Sequence, residues 1–323
     1  MKFRTELKIA PLKRTIDLSE RIVTLGSCFA TAISEALSSQ NLRIVGNPLG
    51  PLFNPASIAS ALRRAMDGRR FTAEELSTNA EGERFSFDAS THFTDPSGQA
   101  LLERLNATND RLREAVTEAR WLIFTFGTAW VYRLQTSGEV VANCHREPLA
   151  SFRRERLTVE EILTEWKQLI EGPLADKQII LTLSPIRHLG DGLQDNAVSK
   201  ATLRLAIEEL VSAYDNVHYF PAYELLIDDL RDYRFYAEDL VHPSRQAVAY
   251  IVERFTEFAF SSVNRAYLDR IDHVLNFCRH RPLHPHSESH RQGVKRTLDE
   301  LYALQEEVKI DFSEQIHALE AQL

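Results

Sequence analysis

The sequence predicts an α/β protein: a flavodoxin-like, three-layer, doubly wound parallel sheet of about five strands, followed by a C-terminal helical appendage. Short β-branched apolar runs alternate with longer segments of helical periodicity. Such alternation implies right-handed βαβ crossovers and hence parallel strands. The composition is that of a packed globule, with 44% hydrophobic and 26% charged residues over 323 positions. Dominant disorder is thereby excluded. With 12 Gly, 12 Pro and no sustained heptads before the last sixty residues, so are collagen-like and coiled-coil fibres.

Taken in order, residues 21–25 (Arg-Ile-Val-Thr-Leu) read as a buried strand running into a small-residue turn, and Ala30, Ile33 and Leu37 then fall at helical spacing. Residues 43–45 form a second strand before the loop 47–51, and Asn54-Pro55 opens a helix as N-cap and first residue. Residues 78–100 are polar and predict a long insertion loop. Residues 121–126 are a third strand ending at Gly127, and residues 131–143 a hairpin turning at Ser137-Gly138. Thr158 with Glu161 is a capping box ahead of a helix carrying Ile162, Trp166 and Ile170. Residues 179–183 are a fourth strand broken by Ser184-Pro185; a helix from about 196 to 213, a fifth strand at 217–220 and a helix from 244 to about 258 complete a domain over residues 1–260. Residues 261–323 differ: a polar, His-rich hinge (279–293) precedes Val294, Leu298, Leu301, Leu304 and Val308, an apolar stripe suited to homodimerisation or another partner.

A net charge of −8 argues against nucleic acid and anionic membrane partners. The N-terminus has no apolar h-region, and no apolar run approaches the roughly 20 residues of a bilayer span. Three widely spaced cysteines (Cys28, Cys144, Cys278) form no disulfide framework, and the expected setting is the cytoplasm.

Ligands of a doubly wound sheet sit beyond the carboxyl ends of its strands. That selects the loops starting at Gly26, Asn47, Gly127 and Ser184, joined by the loop bearing His242. Gly26-Ser27-Cys28-Phe29-Ala30 puts nucleophile-sized residues at a helix N-terminus, where amides and the helix dipole favour negative charge. The local alternative is that Ser27 is only an N-cap and Cys28 a small buried residue. Asp239-Leu240-Val241-His242 can supply a base together with the carboxylate that orients it; standing alone, it reads equally as a capped surface loop.

Together these segments resemble the GSCFA family, regarded as a distant branch of the SGNH/GDSL hydrolase superfamily. The resemblance extends to Asn47-Pro48-Leu49-Gly50, Phe53-Asn54-Pro55, residues 126–132 (Phe-Gly-Thr-Ala-Trp-Val-Tyr), Asn143-Cys144-His145, residues 183–188 (Leu-Ser-Pro-Ile-Arg-His) and the run from Tyr219 to Ser244. It implies an SGNH-hydrolase-like fold. The implied activity is that of an esterase or O-acyltransferase working through a covalent acyl-enzyme on a small or glycan-like substrate, with no cofactor or metal. Asp239 and His242 fit the superfamily's Asp-x-x-His. Aligned without a gap on Gly-Asp-Ser, Cys28 takes the nucleophile position; a one-residue slip puts Ser27 there. Gly50 resembles the oxyanion glycine, whereas residues 127–130 (Gly-Thr-Ala-Trp) lack the Asn and Asp of the superfamily's Gly-x-Asn-Asp. Asn143 is the candidate replacement, with an ordinary turn Asn as the alternative. A degenerate fold serving as a binding or scaffold protein is the competing reading.

Around this core, Trp130, His145, Arg187 and His188 are expected to face the cleft and bind substrate, with Arg187 a bidentate anchor for an anionic group. Their structural alternatives are a core Trp and an ion-paired Arg. Lys200 reads as part of a solvated helix face. Five of eleven histidines lie between His273 and His290, but Cys278, His280, His284, His286 and His290 match no zinc spacing and are interrupted by Pro282 and Pro285.

Overall fold

The computed structural model describes residues 4–281, 283–284 and 287–323. Strands β1 (Ile22–Gly26), β2 (Ile44–Gly46), β3 (Trp121–Phe126), β4 (Gln178–Leu183) and β5 (Val217–Phe220) form one parallel sheet. Their order across the sheet is β2-β1-β3-β4-β5, the flavodoxin-like order. All of β1 and β3 is buried, as continuous apolar runs in a sheet covered on both faces should be.

Alternate residues of each strand enter different cores. Val23, Leu25, Leu122, Phe124 and Phe126 pack with α2 (Pro55–Met66), α3 (Gly98–Glu118), α4 (Val159–Glu171) and α5 (Leu193–Ala213). Ile22, Trp121, Ile123 and Ile180 pack with α1 (Cys28–Ser38), α6 (Arg245–Ala259), α7 (Ser262–Arg279), α8 (Glu288–Val308) and α9 (Ser313–Glu320). Side-chain caps mark the helix starts: Ser27, Asn54, Ser97, Thr158, Ser244, Ser261 and Ser287 each accept a backbone N–H, at about 1 kcal/mol apiece.

Two regions depart from the sequence expectation. Residues 78–100 are not a bare loop: Ser77–Thr78, Arg84–Phe85 and Thr94–Asp95 pair as a small antiparallel sheet, and α3 starts at Gly98. The periodicity of α3 is masked because polar side chains share its buried face. Among them, Asn106 accepts from the Phe71 amide (2.8 Å) and donates to the Phe71 carbonyl (3.1 Å).

The second departure is the tail. Val294, Leu298, Leu301, Leu304 and Val308 are buried in the same apolar cluster as Ile33, Leu37, Ile271 and Leu275, so the stripe that looked free for a partner covers the chain's own α1 and α7. Leu301 is fully buried, and Leu301→Ala is expected to cost about 2–5 kcal/mol. A denaturation midpoint unchanged from wild type would show that the tail does not support the sheet domain. The His-rich hinge shortens to the connection between α7 and α8, and Pro282, Pro285 and His286 lie outside the described residues. His290 stacks on Phe277 and sits 3.1 Å from Gln322 Oε1. Among the described residues, no group of three His, Cys, Asp or Glu is placed to hold a metal, and no helix is long and apolar enough to cross a membrane.

Candidate active site

The turn after β1 is built around a contact that excludes any side chain. Gly26 has φ +148°, and a Cβ there would lie 2.3 Å from the Thr125 carbonyl oxygen on β3. The Gly26 amide donates to Asn47 Oδ1 (2.8 Å), and Asn47 Nδ2 donates to Thr31 Oγ1 (2.9 Å), tying the loop after β2 to the turn. Ser27 follows, 1% exposed. Its hydroxyl accepts the Phe29 amide (3.3 Å) and donates to Ser184 Oγ (3.0 Å), while its own amide donates to Thr125 O (3.2 Å). Cys28 is the first residue of α1 and half-buried. Burial raises its thiol pKa, opposed by its own backbone amide.

A hydrogen-bonded Asp–His pair lies on the loop before α6. Asp239 Oδ1 accepts the amides of Val241 (2.9 Å) and His242 (3.0 Å), and Oδ2 lies 2.7 Å from His242 Nδ1. These hydrogen bonds hold the Asp239 carboxyl at about 2. They fix the tautomer with the proton on Nδ1 and leave Nε2 as the acceptor of a half-exposed imidazole.

The loop after β4 joins the two. The Arg187 amide donates to Val241 O (3.4 Å) and its guanidinium to Leu240 O, while it stacks on Tyr236 at 4.3 Å. Next to it, His188 directs towards Gly127 a buried Nε2 that has no hydrogen-bond partner among the described residues. A Cβ at Gly127 would stand 3.4 Å from that nitrogen and 3.3 Å from Ser27 Cβ, so the imidazole faces the turn bearing the nucleophile candidates. Burial, with smaller contributions from Lys200 and His242, lowers His188 to about 4.

The GSCFA family model matches residues 21–255, and that of the GSCFA C-terminal domain matches residues 271–323. The chain belongs to the GSCFA family. No curated protein matches this GSCFA chain. A Streptococcus pneumonia structure described as a putative platelet activating factor is similar at 14% identity and a TM-score of 0.35, over 73% of this chain and 84% of that one.

Other residues of the GSCFA protein take different places from those the sequence predicted. Lys200 is no solvated side chain: it is 2% exposed, and Nζ donates to the carbonyls of Gly127 and Ser184 at 2.7 Å each. It thereby locks the loops after β3 and β4 together. Burial lowers the amine to about 7, against a smaller opposing effect of Asp191. Between pH 7 and about 10 the unfolded chain thus binds a proton that the folded chain does not, so stability rises with pH over that window. Lys200→Met is expected to remove that rise and to leave two buried carbonyls unpaired, at about 1–3 kcal/mol each. Thermal melts at pH 7 and pH 9 that shift equally in both proteins would refute this.

Arg187 latches the His242 loop, its guanidinium meeting the Leu240 carbonyl and the Tyr233 and Tyr236 rings, while its buried Nε has no partner among the described residues. Gly50 keeps φ +82°, but its amide donates to Asn47 O (2.7 Å) and is not free for an oxyanion. Asn143 behaves as a turn residue, its Oδ1 accepting the His145 amide at 2.8 Å. His145 is buried, stacks on Phe85 at 4.3 Å and donates through Nε2 to Ala89 O (2.9 Å), which makes it a core histidine of the insertion. Trp130 lies 3.7 Å beneath Arg154, which pairs with Asp191 at 2.5 Å and so walls the loop that follows His188. A separate cavity of about 760 Å³ between α2, the hairpin and α4 includes Arg64, Asp88 and Glu165 in its lining but none of Ser27, Cys28, His188 or His242.

Asn47, Ser184 and Lys200 were not assigned to the site from sequence. Nothing local signals that their side chains span from one loop to the next.

Proposed function

We propose that this GSCFA protein is an acyl-transfer enzyme that forms a thioester on Cys28 from a small or glycan-like ester or thioester. It then passes the acyl group to water or to an acceptor alcohol. The observation that carries the reading is His242, oriented by Asp239 at 2.7 Å, with Nε2 unpartnered among the described residues on a loop latched to the carboxyl edge of the sheet. The resemblance of Asp239-x-x-His242 and Gly26-Ser27-Cys28 to the SGNH blocks supports it. So does the position of Cys28 at the amino end of α1, where the helix dipole favours a thiolate. Between the two candidate nucleophiles, the Ser27 hydroxyl is buried and engaged twice, which favours Cys28.

In this mechanism His242 Nε2 takes the Cys28 proton as Sγ bonds to the acyl carbon, and the carbonyl π pair moves onto oxygen. Collapse of that intermediate breaks the bond to the leaving alkoxide or thiolate, which receives the proton from His242. Deacylation runs the same steps with water or the acceptor alcohol activated by His242.

The competing reading is a non-catalytic scaffold. It is favoured by one observation: the amides of Ser27, Gly50, Gly127 and Thr128 all donate within the fold. Intact-mass spectrometry after incubation with p-nitrophenyl esters and acyl thioesters separates the two. A single acyl adduct on wild type, absent in His242→Ala, is expected. No adduct and no turnover with any donor in the panel would favour the scaffold.

A further inference from the structure

An acyl-transfer site has to stabilise the charge that develops on the carbonyl oxygen, and losing one such donor typically costs about 10²–10³ in rate. A census of donors around the turn after β1 leaves few. The Ser27 amide donates to Thr125 O (3.2 Å), Gly50 to Asn47 O (2.7 Å), and Gly127 and Thr128 both to Phe53 O (2.8 and 2.9 Å). On the facing loops, the Ala129 amide donates to Ser199 Oγ (2.7 Å), Ile186 to Ser184 Oγ (3.3 Å), Arg187 to Val241 O (3.4 Å) and His188 to Asn196 Oδ1 (3.0 Å). Lys200 Nζ is engaged by two carbonyls.

Besides Arg187 Nε and Trp130 Nε1, which are buried without a partner but lie against Tyr236 and Arg154, two groups of this neighbourhood stand outside the census among the described residues. One is the Cys28 amide, which as the first of α1 has no intrahelical partner and faces its own thiol. The other is His188 Nε2, buried, unpartnered and turned towards Gly127 and Ser27. A buried ring nitrogen left without a partner is costly, and in this place a reaction oxyanion would satisfy it.

We propose that His188, in its Nε2–H tautomer, is the side-chain donor of the oxyanion site, acting with the Cys28 amide. This rests on the acyl-transfer reading and assigns the step that the backbone leaves uncovered. The bare Gly127 forms the gap between the imidazole and Ser27 Cβ, and a side chain there would also meet Phe53 O at 2.8 Å. A T-shaped contact with Phe53 and the Lys200-braced loops hold the ring in place. Because burial keeps the imidazole neutral, it stabilises the oxyanion by hydrogen bonding alone. The Nε2 proton stays on His188 while His242 receives the proton of Cys28.

The test is single-turnover acylation of the full chain by p-nitrophenyl acetate, with thermal melts of every variant. His188→Leu and His188→Ala remove the donor at two different volumes, and the rate is read on whichever melts as one cooperative transition. His188→Gln keeps an N–H donor but cannot act as a base. The expected result is a loss of about 10²–10³ in the acylation rate without the donor, with at least tenfold recovered in His188→Gln. Donor-free variants within threefold of wild type, or a His188→Gln no faster than they are, overturn the proposal. The arms Cys28→Ala and His242→Ala keep the two failures apart: if these retain the wild-type rate, acyl transfer itself is wrong, whereas if they are dead and the His188 variants are not, only the oxyanion assignment fails.

Discussion

Cys28→Ala is expected to abolish the acyl adduct and to lower turnover by on the order of 10⁴ or more, as removal of a covalent nucleophile does. Ser27→Ala is expected to keep the adduct and melt lower. The contrast follows from what each side chain does in the fold. The Ser27 hydroxyl caps α1 through the Phe29 amide and bonds Ser184 Oγ, all within a fully buried turn. Losing a cap and a buried hydrogen bond costs roughly 1 kcal/mol each, or a drop in Tm of about 3 °C in all for a chain of 323 residues. Cys28 carries less of the fold: its thiol is half-buried at the margin of the apolar cluster and meets its own backbone amide rather than a distant loop. Peptide mapping of the adduct together with melting curves of both variants decides the matter. An adduct that survives in Cys28→Ala and disappears in Ser27→Ala would make Ser27 the nucleophile.

The parts of this molecule legible in its sequence are those whose signal is local. β3 and β5 coincide with the apolar runs at 121–126 and 217–220, and β1, β2 and β4 shift by a single residue at one or both ends. Strands buried on both faces leave unbroken hydrophobic runs, and short βαβ spacings leave little topological choice. Ser27, Asn54, Thr158 and Ser244 were readable as helix starts because a cap is a one-residue event.

What was not legible depends on side chains that reach between loops distant in sequence. Lys200 looks like any helix lysine until Gly127 O and Ser184 O are brought to its amine by two different strands. Arg187 carries the charge of an anion anchor, yet the neighbours the fold supplies are the Leu240 carbonyl and the Tyr236 ring. Gly50 has the left-handed φ expected of a special glycine, but its amide closes a turn on Asn47. The apolar stripe of α8 specifies that something must cover it. Sequence periodicity is silent on whether that partner is another chain or this chain's own α1 and α7.

Asp239→Asn is expected to lower turnover by about 10⁴ while leaving the loop folded, the size of effect seen when a catalytic histidine is forced into the wrong tautomer. The substituted amide keeps an Oδ1 able to accept the Val241 and His242 N–H groups, which carry the loop's shape. Its second position, however, becomes an NH₂ facing His242 Nδ1 across 2.7 Å, where the carboxylate accepted. The imidazole then carries its proton on Nε2 and can no longer take one from Cys28. With the Asp239 carboxyl at about 2, the carboxylate is ionised throughout the neutral range, so the acid limb of the wild-type pH–rate profile cannot arise from Asp239. Its contribution to stability is present above the ordinary Asp range near 4 and is lost as pH falls through about 2, well below any pH at which activity would be assayed. Steady-state and single-turnover rates of Asp239→Asn between pH 5 and 9 therefore report orientation of the base and nothing of folding. A variant within tenfold of wild type across that range would reduce the dyad to a loop latch, and with it would fall the reason to place a general base at His242.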